Sequence, residues 1–339
     1  PCALSLATPT AVSAATGALL ARGLLPLDNH CLETLARATH VVFDKTGTLT
    51  HGQPAVNAVE RRSELDKPPA LAVAAALEQH SEHPAGKAIV AYAGESGHPA
   101  VRDIENIPGA GVSGRIDGKR WFIGNAAFVR KRTAAEPETP ATPAGTQIFL
   151  ADDRQVHTVF ELQDTLRPDA PAAIAALKRA GKRVLLMSGD NRPATRLVAE
   201  AAGIETFHAN MTPSDKLARL QALQRQGAVV VMVGDGINDA PVLSAADVSI
   251  AMQDAAHISQ ASADLILLSD RLSVIAAGMS LARRTLRVIR QNLIWAVCYN
   301  LVALPAAAVG LVAPWMAAIG MSTSSLLVVL NALRLSRHG

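Results

Sequence analysis

Charge is scarce in this chain of 339 residues: Asp, Glu, Lys and Arg together make up 18%, below the roughly 25% of an ordinary soluble domain. Hydrophobic residues reach 49%, which excludes a disordered chain and argues against a wholly soluble enzyme. Neither sign dominates, since 32 Lys and Arg against 29 Asp and Glu leave a net charge of +3. Aromatic residues are only 3%. With neither a strong basic excess nor stacking platforms, no nucleic-acid partner is expected. Cysteine is equally sparse: Cys2, Cys31 and Cys298 lie too far apart for a disulfide framework or a zinc pair. No signal peptide heads the chain, which opens at Pro1-Cys2 without a methionine and so reads as part of a longer protein.

The apolar excess sits at the two ends. Leu293 to Ala313 is a run of 21 uncharged residues, and Pro314 to Leu333 is another of 20. Each is long enough for a hydrocarbon core of about 30 Å at about 1.5 Å per helical residue. Arg283, Arg284, Arg287 and Arg290 precede the pair, and Arg334 and Arg337 follow it. The positive-inside rule then predicts cytoplasmic outer ends and a tight turn on the far side near Ala313-Pro314-Trp315. The competing reading is a buried soluble hairpin, in which Asn300, Pro305 and Ser324-Ser325 are odd core residues. Pro1 to Ala21 is also uncharged but built of Ala, Ser, Thr and Gly, which suits either a close-packed membrane helix or a buried soluble one.

The middle of the chain is ordinary soluble sequence. Val41–Phe43, Val184–Met187 and Val229–Val233 are short apolar runs, each closing on a polar turn: DKTGT, SGD and GDGIND. Alternation with helical patterns at Pro171–Ala180 and Ser214–Arg225 predicts a parallel, doubly wound sheet. Chemistry in such sheets sits beyond the carboxyl ends of the strands, where all three turns fall. Between the first turn and Asp164 the texture changes to helical Leu71–Gln79 and Ala85–Ala93, a Gly-rich Pro108–Gly114 and a strand at Arg120–Ile123, predicting an inserted domain.

An aspartate at a strand end, followed by small flexible residues, suits Asp44 to nucleophilic attack. Attack on a phosphoryl group needs positive charge and donors around its oxygens. Asp235 and Asp239 supply carboxylates of the kind Mg²⁺ prefers, and Ser188 and Lys216 supply a hydroxyl and a point charge. With those residues in view, the strings Asp44-Lys45-Thr46-Gly47-Thr48-Leu49-Thr50 and Gly234-Asp235-Gly236-Ile237-Asn238-Asp239-Ala240-Pro241 resemble the signatures of P-type ATPases, within the haloacid-dehalogenase superfamily. Thr212–Lys216 and Asp164–Pro168 match further family patterns, and Ser188-Gly189-Asp190 stands where the family has Thr-Gly-Asp.

The resemblance implies Asp44 as the phosphorylated residue. It places Lys45, Thr46, Ser188, Gly189, Asp190, Lys216 and Asn238 around it, and Mg²⁺ on Asp44, Thr46, Asp235 and Asp239. Related phosphatases carry an acid/base aspartate where Thr46 stands. A threonine cannot do that work near neutral pH, so a persistent acyl-phosphate, and a pump, is expected. The insert resembles the nucleotide-binding domain of the heavy-metal branch: Glu78, Ser81-Glu82-His83-Pro84, Gly109-Ala110-Gly111 and Gly124-Asn125 follow in family order. ATP is thereby assigned to Glu78, His83, Gly109, Gly111, Gly124 and Asn125. His80 with His83 as a metal pair is the competing reading.

In the apolar ends, Pro1-Cys2-Ala3-Leu4 resembles the Cys-Pro-Cys helix of heavy-metal ATPases, with the first cysteine before residue 1. Asn292, Tyr299-Asn300 and Pro305, then Met321, Ser324-Ser325 and Asn331, match the Cu⁺-transporting subgroup. This implies Cu⁺, with Ag⁺ as an alternative, on Cys2, Tyr299, Asn300, Met321 and Ser324. The sulfur donors suit a soft ion.

The expected fold is α/β: a haloacid-dehalogenase-like Rossmannoid phosphorylation domain with an inserted α+β nucleotide-binding domain, plus transmembrane α-helices. The expected division is 1–22 (partial transmembrane helix), 23–55 and 161–280 (phosphorylation domain), 56–160 (nucleotide-binding domain) and 281–339 (two transmembrane helices). The resemblance further implies a bacterial inner-membrane protein in contact with lipid, with cytoplasmic soluble domains and a cytoplasmic copper chaperone as partner. It also implies a missing N-terminal part of the same protein, including the actuator domain that positions water for dephosphorylation. This polypeptide alone is therefore expected to bind ATP and not to pump. Alternatives are transport of another heavy metal such as Zn²⁺, a non-pumping interaction fragment, and a soluble phosphatase.

Overall fold

The structure, a computed structural model, describes residues 2–28, 31–63, 70–81, 83–94, 97–107, 109–134, 136–137, 145–235, 240–253 and 263–336. In chain order its elements begin α1 (Cys2–Leu20), β1 (Leu24–Pro26), α2 (Cys31–Arg37), β2 (His40–Asp44) and, after a wide turn at Lys45–Leu49, β3 (Thr50–Arg61). There follow α3 (Ala70–Glu78), α4 (Pro84–Ala93), β4 (Arg102–Ile107), β5 (Gly111–Ile116), β6 (Lys119–Gly124), α5 (Ala126–Arg132), β7 (Thr146–Asp152) and β8 (Val156–Leu166). The rest are α6 (Ala170–Arg179), β9 (Arg183–Met187), α7 (Arg192–Ala202), β10 (Thr206–His208), α8 (Pro213–Arg225), β11 (Val230–Gly234), α9 (Ala240–Ala245), β12 (Val248–Met252), β13 (Leu265–Leu267), α10 (Ser273–Ala308) and α11 (Pro314–Leu333).

Two compact units emerge, one of Pro1–Leu49, Pro168–Gly189 and Ala201–Gly339, the other of Thr50–Arg167 with Asp190–Glu200. The second unit extends beyond the 56–160 expected of the insert. The reason is that β3 and β8 pair antiparallel across both expected boundaries, with Thr50 opposite Leu166, through register shifts at Thr50/Pro54 and Val56/Ala58.

The first unit is built on a seven-stranded sheet in the order β1-β13-β12-β11-β2-β9-β10. It is parallel except for β1, which pairs antiparallel with β13 at the edge. The apolar runs become interior strands because both of their faces are covered. Val42, Leu185, Met187, Val230 and Met232 pack against Leu220 and Leu223 of α8 and Val242 and Leu243 of α9. Alternate residues such as Val41, Phe43, Val184, Leu186 and Val231 are buried on the opposite face, which period-2 pleating requires. Each such side chain contributes about 1.5–3 kcal/mol on burial.

The second unit holds a six-stranded antiparallel sheet in the order β3-β8-β7-β6-β5-β4. On one face Val73, Leu77 and Ile89 of α3 and α4 meet Ile123, Leu150 and Phe160. On the other, Phe128 and Val129 of α5 meet Phe122 and Phe149.

The apolar ends form three helices. Ala3, Ala7, Ala11 and Ala15 of α1 recur every fourth residue and are all buried. Small residues at this spacing let helix axes approach closely, and Ala3 and Ala7 touch Ala296 of α10 and Val328 of α11. By length and composition α1 and α11 can each cross a membrane. The expected 21-residue span is shorter as a helix, because α10 stops at Ala308. Gly310 takes φ +78° in the turn, the conformation that commonly ends a helix. Pro314 opens α11 instead of sitting in the turn, where its missing N–H costs nothing.

Candidate active site and nucleotide pocket

Strand order brings three distant polar turns together. β2 lies between β11 and β9, with Asp44 level with Met187 and Phe43 level with Val233. Asp44, Ser188 and Asp235 therefore stand at the carboxyl ends of adjacent strands. The Asp44 carboxylate is buried and accepts a hydrogen bond from the Lys216 ammonium at 2.6 Å, itself buried. A charge-assisted pair of this kind is short and strong, and removing one side of a buried pair costs about 3–5 kcal/mol.

Local sequence explains how Lys216 arrives. Thr212 caps α8: its hydroxyl accepts from the Asp215 N–H at 3.2 Å, while Asp215 accepts from the Thr212 N–H at 2.9 Å. The Thr212 hydroxyl, donating to the Asp215 carboxylate at 2.7 Å, and then the Thr212 N–H hold that carboxyl below the usual carboxylate range. Lys216 follows one turn into the helix, and helical side chains lean toward the N-terminus, so its ammonium points back to the strand ends.

The turn after Asp44 shows why a glycine is needed. Gly47 takes φ +72°, a left-handed conformation, and a Cβ there would lie 2.8 Å from Asp235 Oδ2. The Asp235 carboxylate thus packs against the loop that follows Asp44. Lys45 is buried, and Thr46 is exposed in extended conformation. Ser188 is buried; its N–H donates to the His208 carbonyl at 2.9 Å and its carbonyl accepts from the Met211 N–H at 3.0 Å. Gly189 follows it, with room for a Cβ at 3.4 Å from the Met211 carbonyl. Asp190 belongs to the second unit. Asn238 and Asp239 lie outside the described residues, among which no cluster of three or more His, Cys, Asp or Glu side chains forms. Paired hard carboxylates at Asp44 and Asp235 fit Mg²⁺ by donor chemistry.

The second unit carries a pocket of about 360 Å³ that gathers Glu78, Ser81, His83, Gly109, Gly111, Gly124 and Asn125. His83 caps α4, its Nδ1 accepting from the Ala85 N–H at 3.2 Å. In the neutral ring this leaves Nε2 as the N–H edge. Burial pushes the Glu78 carboxyl up, against the pull of the Ser81 hydroxyl and His83. A Cβ at Gly86 would lie 2.3 Å from Glu78 Oε2, so the carboxylate is packed against the helix backbone.

Gly111 and Gly124 sit opposite each other across β5 and β6. There a Cβ would meet the Ile123 carbonyl at 2.3 Å or the Ala110 carbonyl at 2.4 Å. Their smallness serves backbone packing as well as the pocket. Asn125 caps α5 through the Phe128 N–H at 2.9 Å and donates to the Gly109 carbonyl at 3.2 Å, fixing the pocket's rim. The sequence reading missed Asn106, Thr146 and Ile148, which also line the pocket. Thr146 and Ile148 are far from His83 in sequence, and no local pattern marks them. His80 is exposed and absent from the pocket lining.

In the terminal helices, Asn292 and Ser324 are buried and Tyr299 and Asn300 half-buried. The Trp295 indole N–H donates to Ser324 Oγ at 3.2 Å, a partner the sequence reading did not identify. Asn292 accepts from Asn331 at 2.8 Å and donates to the Val328 carbonyl at 3.3 Å. The Tyr299 hydroxyl reaches the backbone at Gly320, where a Cβ would lie 2.6 Å away. Met321 is largely exposed. Cys2 opens α1, and its side chain lies outside the described residues.

Comparison with known proteins accords with this geometry. The chain is 44% identical over 344 residues to the "Probable copper-transporting ATPase SynA" of Synechococcus, covering 98% of this chain and 43% of the relative. It is 40% identical over 350 residues to the "Cation-transporting P-type ATPase B" of Mycobacterium tuberculosis, covering 100% of this chain and 46% of the relative. Among solved structures, a zinc-transporting PIB-type ATPase in its E2.Pi state superposes with a TM-score of 0.87 at 34% identity, covering 99% of this chain and 56% of that one. The chain thus spans less than half the length of these two curated relatives. The haloacid dehalogenase-like hydrolase family matches residues 38–247, the stretch that holds Asp44, Ser188, Lys216 and Asp235, and the chain belongs to that family, in its heavy-metal P-type ATPase branch.

Proposed function

We propose that this chain is the catalytic part of a pump that uses ATP to move a soft metal ion, Cu⁺, across a membrane through an aspartyl-phosphate at Asp44. The buried Asp44–Lys216 pair, set beside Asp235 at three adjacent strand ends, is the observation that carries the reading. A carboxylate oxygen of Asp44 attacks the γ-phosphorus of ATP, the bond to the β,γ-bridging oxygen breaks, and ADP leaves with the electron pair. Lys216 then exchanges its carboxylate partner for the transferred phosphoryl oxygens, which Ser188 also faces. Asp44, Thr46, Asp235 and Asp239 would hold Mg²⁺, which would supply positive charge against the phosphoryl group. Glu78, Ser81 and His83 orient the adenine in the second unit's pocket.

Thr46 offers no carboxyl for rapid hydrolysis, so the acyl-phosphate lasts long enough to drive a conformational step in the helices. For the cargo, no charged side chain occurs between Leu293 and Leu333, and Cys2, Tyr299, Asn300, Met321 and Ser324 supply sulfur and neutral oxygen, which suit a soft monovalent cation. The zinc-transporting structural relative favours Zn²⁺ as the second reading. The protein sits in a bacterial plasma membrane with its soluble units in the cytoplasm, receives metal from a cytoplasmic chaperone, and works with the remaining part of the same protein. The test is phosphorylation by γ-labelled ATP in membranes holding the full-length protein. Label that appears with Cu⁺, fails with Zn²⁺ and vanishes in Asp44→Asn is expected. Persistent label in Asp44→Asn overturns the nucleophile, and stimulation by Zn²⁺ alone overturns the cargo.

A further inference from the structure

A second, larger pocket of about 790 Å³ opens at the amino-terminal edge of the seven-stranded sheet. His40 and Arg183, which begin β2 and β9, line it, so it lies at the opposite end of the sheet from Asp44. Its charge is lopsided: Lys178, Lys182, Arg183 and Arg219 face one carboxylate, Glu205. Glu205 is paired with Lys178 at 2.7 Å. Lys182 leans on the Ala38 carbonyl, and burial together with Arg283 pulls its ammonium below the usual lysine range. Burial and Arg183 do the same to the His40 imidazole, favouring its neutral form. Arg219 Nε is screened from solvent and has no hydrogen-bond partner among the described residues. Among the described residues no carboxylate pairs with Lys182, Arg183 or Arg219.

The pocket's location indicates the source of a balancing anion. The Ser273 N–H at the start of α10 donates to Asp169, just before α6, at 2.9 Å, and Arg283 lies close enough to Lys182, beyond the end of α6, to perturb it. α10 therefore descends beside α6 toward this edge of the sheet. Beyond Arg283 come Arg284, Arg287 and Arg290, and the uncharged run begins at Leu293, about 15 Å further along the helix. Lipid headgroups extend about 5–8 Å above the hydrocarbon, and helix tilt shortens the gap. Basic clusters just cytoplasmic of a membrane helix attract anionic lipid.

We propose that this basic pocket takes the phosphate-bearing headgroup of an anionic phospholipid from the cytoplasmic leaflet. The proposal rests on the membrane reading above. It gives the phosphorylation unit a lipid-dependent anchor at the end of the sheet remote from its chemistry.

The test places a photo-cross-linking residue at Gln226, on the pocket's lining, and separately at Leu327, on α11. The chain is held in nanodiscs of mixed phosphatidylcholine and phosphatidylglycerol. The expected result is capture of phosphatidylglycerol at Gln226 beyond its share of the bilayer, falling about fivefold for each charge removed in Lys182→Gln and Arg219→Gln. Arg183→Gln, on an exposed side chain, gives the same fall should either of those variants fold poorly. Capture at Leu327 is expected to be indifferent to lipid charge and to these substitutions. Proportional capture of both lipids at Gln226, or none there while Leu327 captures lipid, overturns the proposal. Displacement of the lipid by inorganic phosphate at physiological concentration also overturns it, assigning the pocket to a solution anion. No capture at Leu327 overturns the membrane reading itself, and the proposal with it.

Discussion

Each unit buries one carboxylate against a lysine at the same distance, 2.6 Å for Asp44 with Lys216 and 2.6 Å for Asp152 with Lys119. The two sites differ in where the partners come from. Asp152 is held within its own hairpin, accepting from the Arg154 and Gln155 N–H groups at 2.8 and 2.9 Å and from His157 at 2.9 Å. Ser63 in turn bonds the other nitrogen of His157. Burial by itself raises the Asp152 carboxyl, but these bonds and Lys119 outweigh it and hold it well below the usual carboxylate range. Asp44 instead takes its lysine from 172 residues away. A carboxylate tied by a turn's own donors is fixed in place. One facing an ammonium on a separate helix, at an open strand end, can exchange that partner for a phosphoryl group. On the proposed function, similar pairs serve stability in one unit and chemistry in the other.

Substitutions at the two carboxylates break the comparison most sharply. Asp44→Asn is expected to abolish acid-stable label from γ-labelled ATP, whereas Asp152→Asn keeps full label per mole of folded protein. Equal loss in both variants contradicts the division of roles. Next, Lys216→Met is expected to lower the phosphorylation rate by about 10²–10³, the effect of removing one donor from a transition-state anion site. It also lowers stability by about 3–5 kcal/mol, the cost of breaking a buried ion pair from one side. Denaturant melts of the double variant with Asp44→Asn check this, because removing the second charge of the pair returns part of the loss. Asp152→Ala leaves His157 and two backbone N–H groups without their acceptor and costs about 3 kcal/mol. Its half-exposed Lys119 adds little.

A smaller effect sharpens the comparison inside the second unit. Gly86→Ala drives a methyl into the Glu78 carboxylate, and overpacking of this kind costs about 1–3 kcal/mol. ATP affinity is expected to fall about tenfold with label at saturating ATP preserved, measured by titration calorimetry and single-turnover labelling.

The smallest effect is one of pH. The Glu78 carboxyl is raised by burial. Its contribution is fully present below the unfolded carboxyl pKa and is lost as pH rises through the folded value. The Asp152 carboxyl is lowered, so its contribution is present above the unfolded value and lost as pH falls through the folded one. Glu78→Gln should therefore raise Tm near neutrality and lose that gain on acidification to about pH 4. The deficit of Asp152→Asn should instead hold nearly constant down to about pH 4 and shrink only below it, as thermal melts across the range will show.

Much of the fold was legible in advance because its signals are local. Continuous apolar runs marked the parallel strands, the alanine-rich opening predicted a close-packed helix, and polar turns marked the strand ends. The inserted domain's edges were not legible: 50–55 and 161–167 read as phosphorylation domain, and only the pairing of β3 with β8 joins them to the second unit. The end of α10 depended on Gly310 adopting a left-handed turn, which composition alone does not announce. At the candidate sites the sequence named the groups and left their arrangement open. Glu78 and His83 were visible as a motif. Thr146 and Ile148 reach the same pocket only through the pairing of β7 with β6 and β8.

What the sequence by itself determined is chemical: a carboxylate at a strand end at Asp44, hard oxygen donors at Asp235 and Asp239, a lysine at position 216, and uncharged apolar runs at both ends. These follow from residue type and short-range periodicity, which need no knowledge of distant partners. Only the tertiary structure decided that β2 lies between β9 and β11, that Lys216 meets Asp44, and that four basic side chains converge at the sheet's other end. Each of those depends on strand order. Strand order is settled by burying whole faces against helices far away in the chain, a global balance that no local window of sequence contains.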